Sequence, residues 1–168
     1  MLWLELAVQI PSNCKISLQK FVNPLIFITF TNHDWVKNKS VIQQITKGIK
    51  ISVETKFEGS FLKDQILHHA FMYFITIENQ SKDVVQLLSR HWKILESISR
   101  PQYVNGNGVV GKKPIIKPGE SHTYQSGSLI TSPLGSMTGT YIMINFSTAK
   151  KFNVDVPSFK LSVPYILN

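Results

Sequence analysis

A single cysteine, Cys14, stands in a chain of 168 residues. Without a second thiol there is no intramolecular disulfide and no cysteine-built zinc site. The compartment expected for such a chain is a reducing cytoplasm. Long apolar runs are missing too: none reaches the roughly 18 to 20 residues that a membrane-spanning helix requires. The first dozen residues carry Glu5 and neither Lys nor Arg, which is not how an export signal begins, so no export is expected. Acid is scarce, with 10 Asp and Glu against 18 Lys and Arg. None of those acids forms a close pair of the kind used for general acid and base work.

The surplus of base gives a formal charge of +8. Along the sequence it is thinly spread. The densest groups are Lys112, Lys113 and Lys117, followed by the pair Lys150 and Lys151. A nucleic-acid surface would show a basic stripe with aromatics interleaved. No such stripe is present, so the cations read as a solvated surface and no nucleic-acid partner is expected.

Residues 1–40 hold two apolar bursts, Leu2 to Ile10 and Leu25 to Phe30, broken by Pro11, Asn13 and Pro24 and lacking a sustained period. They read as a flexible leader or an over-called translation start in preference to an anchor. From Ile45 onward the pattern changes. Ile49, Ile51, Val53 and Phe57 alternate with Lys50, Ser52, Glu54 and Lys56, which predicts a half-buried strand ended by Glu58, Gly59 and Ser60. Phe71, Tyr73, Ile75 and Ile77 predict a second, central strand, closed by the polar turn Asn79 to Asp83. Val84 to Ile98 is β-rich around Trp92, with Arg90, His91 and Lys93 on an exposed face. Turns are predicted at Asn105-Gly106, Pro118-Gly119 and Ser132 to Gly135. Strands are predicted at 121–126, 139–146, 152–156 and 159–163. Seven or eight short strands with no amphipathic helix predict an all-β fold, an antiparallel β-sandwich spanning about residues 45–168.

The string Gly106-Asn107-Gly108-Val109-Val110-Gly111 has the G-x-G-x-x-G spacing of a dinucleotide-binding turn. That turn works by opening a helix whose N-terminal amides face a pyrophosphate. Pro114 and Pro118 deny this loop its helix. Gly106 and Gly111-Lys112 also match P-loop spacing, but Lys113 stands where Ser or Thr would hold magnesium. What stays open is a backbone nest for a phosphate or nucleotide anion, formed by Gly106, Gly108, Gly111, Lys112 and Lys113, against a loop whose glycines simply permit positive φ. His68 and His69 are neighbours on a strand and point to opposite faces, while His33, His91 and His122 are isolated, so no metal site is read. Gly135-Ser136-Met137-Thr138-Gly139 is not a nucleophile elbow, because Met137 occupies its central position. No catalytic residue is assigned. Trp92 and Tyr103 are the candidate partner anchors, weighed against core roles for such aromatics.

Taken in order, the G-x-G-x-x-G turn, the P-x-x-x-P-G-E block from Pro114 to Glu120, the Tyr124-Gln125-Ser126-Gly127 step and the block from Pro133 to Tyr141 resemble the ApaG family signature. Gln44 to Ile49 resembles its beginning, and Val156 to Leu161 its closing strand. The resemblance covers about residues 41–168 and departs at Asn105, where arginine is frequent in the family. It implies an immunoglobulin or fibronectin type III-like sandwich. It also implies an association with cobalt tolerance and magnesium efflux, indirect because this chain has no membrane span, and a role in partner binding as in eukaryotic relatives. The expected function is a non-catalytic, cytoplasmic interaction module that binds a protein through a sheet edge or its turn-rich end. The alternative is a protein that binds phosphate, nucleotide or a divalent metal through the 106–113 loop. No cofactor is expected, and the oligomeric state is open, homodimer included.

Overall fold

A computed structural model describes residues 41–97 and 99–164. The expectations for residues 1–40, Cys14 and His33 among them, lie outside the described residues. Nine strands form two antiparallel sheets. The first has the order β1-β2-β3-β7, built from β1 (Ile42–Thr46), β2 (Ile49–Lys63), β3 (Ile66–Asn79) and β7 (Ser121–Ile130). The second has the order β5-β4-β8-β9, from β5 (Gln102–Asn107), β4 (Val85–Glu96), β8 (Leu134–Asn145) and β9 (Lys151–Ser162), with β6 (Ile115–Ile116) also on β4. Pairing β3 with β7 in one sheet, and β4 with β8 and β8 with β9 in the other, is the wiring of a fibronectin type III-like sandwich. The described residues contain no α-helix.

The alternation read from the sequence is what packs the core. Ile49, Ile51 and Val53 from β2 and Phe71, Tyr73, Ile75 and Ile77 from β3 are buried against Trp92, Tyr141, Met143, Val154 and Phe159 of the facing sheet. Trp92 meets Tyr73, Phe159 and Tyr141 with ring centroids 5.8, 6.0 and 6.2 Å away. Gly139 makes room for it, since a Cβ there would lie 2.6 Å from the indole.

Several strands are longer than the sequence pattern predicts. Glu58-Gly59-Ser60 does not end β2: a bulge between Phe57 and Gly59 absorbs an extra residue, and pairing with β3 continues to Lys63 opposite Ile66. The hairpin turns at Asp64 and Gln65, both in the left-handed region, as a two-residue primed turn demands. The segments 152–156 and 159–163 join into one strand, because Pro157 falls within a second register shift, where β8 advances from Met137 to Gly139. A proline is tolerated there without loss of a ladder hydrogen bond. Asn105-Gly106 is strand, not turn: Asn105 pairs with His91 and Gly106 with Arg90 on β4. Pro118-Gly119 turns as predicted, with Gly119 at φ 78° and the Glu120 amide donating to the Lys117 carbonyl.

Candidate functional site

Strands β5 and β6 behave as one edge strand on β4, interrupted by the glycine-containing loop. The Gly108 amide donates to the Leu88 carbonyl, and Leu87 N–H to the Pro114 carbonyl. Between these ties Val109 and Lys112 exchange two backbone hydrogen bonds across a tight turn at Val110 and Gly111, both of positive φ. Val109 is fully buried in the sandwich core, so the loop plugs the flank between the two sheets. Glycine is required at Gly108, where a Cβ would lie 2.1 Å from the Lys112 carbonyl oxygen.

These bonds engage three of the amides that an anion nest in this loop would draw on. A nest needs converging amides that are free to donate. The amides of Gly108, Val109 and Lys112 are each committed to a backbone carbonyl. The side chains of Lys112 and Lys113 reach solvent, and Lys112 lies close enough to His122 to help lower its pKa, after the larger effect of burial.

Beneath the loop, Arg90 points toward the space between the sheets. Its guanidinium lies against Gly106, where a Cβ would approach within 2.8 Å, and donates to the Gly108 carbonyl at 2.8 Å. Around it are three buried phenols. Tyr124 and Tyr141 share a hydrogen bond of 2.5 Å, and Tyr73 bonds Ser126. Burial raises the pKa of all three, with the Arg90 charge pulling weakly the other way. They stay neutral at physiological pH, and no poised base arises among them. Arg90 was read from the sequence as an exposed strand residue. The register shift between Leu87 and Ser89 puts it on the inner face.

The outer face of the second sheet offers a different surface. His91 and Lys93 of β4, Tyr103 and Asn105 of β5, and Thr138 and Thr140 of β8 rim a shallow depression of about 270 Å³. The registers His91 with Asn105 and Thr140, and Lys93 with Tyr103 and Thr138, set these side chains in two rows. His91 Nδ1–H donates to Asn105 Oδ1 at 2.8 Å. Tyr103 is 68% exposed, whereas Trp92 is 4% exposed and only floors the depression. Of the two candidate anchors the fold presents Tyr103 and takes Trp92 into the core. Among the described residues no group of three His, Cys, Asp or Glu side chains is placed to hold a metal ion.

A second buried hub lies at the hairpin end of the sandwich. Glu96 Oε2 accepts from Thr131 N, Thr131 Oγ1 and Ser132 N, and Oε1 from Gln102. Nearby, His69 is 2% exposed and bonded to Ser60 at 2.7 Å. Its pKa is lowered by burial and by His68, and raised by Glu96. The hub braces the β7–β8 turn. Its only sequence signal was an acid on the inward parity of β4.

Comparison with known proteins joins these observations. The ApaG domain family matches residues 60–145. Protein ApaG of Vibrio vulnificus is 42% identical over 71% of this chain and 94% of its own length. Protein ApaG of Pseudomonas aeruginosa is 41% identical over the same shares. A crystal structure of an ApaA protein from Bordetella pertussis superposes with a TM-score of 0.61 at 32% identity, covering 69% of this chain and 94% of that one. A structural-genomics X-ray structure reaches a TM-score of 0.67 at 33% identity, covering 70% and 88%. The signature positions that looked like a nucleotide motif meet at Arg90 and the flank plug, and with this likeness in sequence and fold the chain belongs to the ApaG domain family.

Proposed function

We propose that this ApaG-domain protein is a non-catalytic interaction module of the cytoplasm, and that the β5 edge with its adjoining depression is the face a protein partner meets. The observation that carries the reading is Tyr103, 68% exposed on an edge strand. An aromatic of this kind supplies contact area at small entropic cost. An edge strand offers backbone donors and acceptors for strand addition. The polar rim of His91, Lys93, Thr138 and Thr140 supplies directional bonds around the anchor. A link to cobalt tolerance or magnesium efflux would then run through the partner, since no helix among the described residues is long and apolar enough to cross a membrane.

The test is affinity capture with the full chain as bait, from cells grown with and without cobalt, beside a Tyr103→Ala bait. Wild type should return a reproducible partner, and the variant should bind it about tenfold or more weakly. Equal recovery by both baits would remove the β5 face from the proposal. No reproducible capture in any condition would remove the module reading.

A further inference from the structure

The cations that look scattered along the sequence are gathered by the fold. Four turns meet at the end of the sandwich opposite the β2–β3 hairpin tip. Gln80 N–H donates to the Gly48 carbonyl, Gly119 N–H to the Asn79 carbonyl and Phe146 N–H to the Val84 carbonyl, so the turns are tied to one another. Each brings lysine. Lys47 comes from the β1–β2 turn, Lys82 from β3–β4 and Lys117 from β6–β7. Lys150 and Lys151 come from the β8–β9 turn and the first residue of β9. Lys50, the second residue of β2, lies beside them, and Lys112 and Lys113 project from the flank loop adjoining this end.

Counted over the described residues, this end and its flank hold eight lysines against Glu78, Asp83 and Glu120, a net +5. All other described residues hold six cations against five acids, a net +1. Two of the three acids at the cationic end are spent on its own lysines, Glu78 with Lys50 at 3.4 Å and Glu120 with Lys117 at 3.8 Å. Asp83 is held by Asn145 and Ser147 at 2.8 and 2.7 Å. Lys82, Lys150 and Lys151 are exposed. Among them Phe146 stands 47% exposed in the β8–β9 turn.

We infer that this end is a peripheral docking surface for anionic lipid headgroups. Charge complementarity selects a polyanion, and the form of the surface selects the lipid. Both described arginines lie elsewhere, Arg90 between the sheets and Arg100 beyond β4, so the bidentate forks that read base edges of nucleic acid are absent from this end. Phe146 is the one large exposed ring in these turns, whereas single-stranded nucleic acid is held by successive stacking rings. The hollow between the turns, about 250 Å³, is lined by Lys47, Lys150 and the Asp83 carboxylate. A discrete anion seated there would meet that carboxylate. A fluid plane of headgroups meets the rim lysines independently, and an aromatic tip supplies the apolar second contact that weak peripheral binding needs.

The experiment is flotation of the full chain with vesicles of phosphatidylcholine alone and of equal parts phosphatidylcholine and phosphatidylserine. Binding is expected to the mixed vesicles only, and to fall at least about tenfold when salt rises from about 0.1 to about 0.5 M. The triple variant Lys82→Glu, Lys150→Glu, Lys151→Glu should lose about tenfold or more, while the charge-matched Lys56→Glu, Arg100→Glu, Lys160→Glu should lose less than about threefold. Phe146→Ser should weaken partitioning by about threefold. An unchanged urea midpoint shows that a variant is folded. If the glutamate triple fails that check, the corresponding glutamine triple carries the test. Absence of binding, equal loss in both charge-reversed triples, or displacement by duplex DNA or single-stranded RNA at matched phosphate concentration would each overturn the assignment.

Discussion

Gly108 and Gly119 both have positive φ, at 60° and 78°, but their surroundings differ. A Cβ at Gly119 meets nothing within 4 Å, so Gly119→Ala carries backbone strain alone, about 1 kcal/mol. At Gly108 the Cβ would overlap the Lys112 carbonyl at 2.1 Å, and the turn that buries Val109 must shift. Gly108→Ala is therefore expected to cost about 3 kcal/mol or more, read from urea midpoints at constant slope. His69 gives a pH dependence of definite sign. Its folded pKa lies below the ordinary histidine value because it is buried. The unfolded chain then takes up the proton first as pH falls, so this contribution to stability is present above about pH 7 and declines as pH drops through 6.5 toward the folded pKa. His69→Gln should flatten the stability profile between about pH 7 and pH 5. A profile as steep as wild type would place the dependence elsewhere.

At the scale of elements, bulges and side-chain hubs decide where the strands run. Phe57 to Gly59 illustrates the first: alternation breaks there, as it would at a strand end, and only the continued pairing to Lys63 shows that the strand goes on. Glu96 illustrates the second. Its carboxylate accepts three hydrogen bonds from Thr131 and Ser132 and a fourth from Gln102, bracing the β7–β8 turn against the end of β4. Glu96→Ala leaves those donors without their acceptor. We expect a loss of about 2 to 3 kcal/mol, with faster amide exchange at Thr131 and Ser132. Glu96→Gln keeps an acceptor oxygen and should fall between the two. Unchanged exchange at both amides in the alanine variant would show that the turn holds without the hub.

At the scale of the whole molecule, aromatic side chains divide between holding the sheets together and meeting other molecules. Trp92, in contact with Tyr73, Tyr141 and Phe159, belongs to the first group, and Tyr103 to the second. Trp92→Ala should cost about 3 to 5 kcal/mol as a cavity opens between the sheets. Tyr103→Ala should change stability by less than about 0.5 kcal/mol. Similar losses for both would mean that Tyr103 is also structural and would weaken its assignment as an anchor. Charge divides in the same manner: one end of the sandwich is cationic, and the remainder is nearly balanced.

Much of this architecture was legible in one dimension. Period-two alternation in β2, β3 and β9 marks the buried faces, since each inward side chain repeats at the pleat, and Pro118-Gly119 carries its turn geometry in its two residue types. What the chain order could not express is adjacency between distant segments. Pro114 and Pro118 already rule out a nucleotide turn at the six glycine-loop positions, but only the fold shows that Leu88 and Pro114 tie the loop into the edge of a sheet, with the Arg90 guanidinium against Gly106. Lysines as far apart as Lys47 and Lys150 became neighbours only when four turns met. Local residue types determined most of the strands, the inward faces of β2, β3 and β9, and the fold class. Tertiary pairing decided that Trp92 is core, that Arg90 points inward and that the lysines share one end, because long-range register and charge proximity are properties of the folded sheets and not of the alternating pattern that builds them.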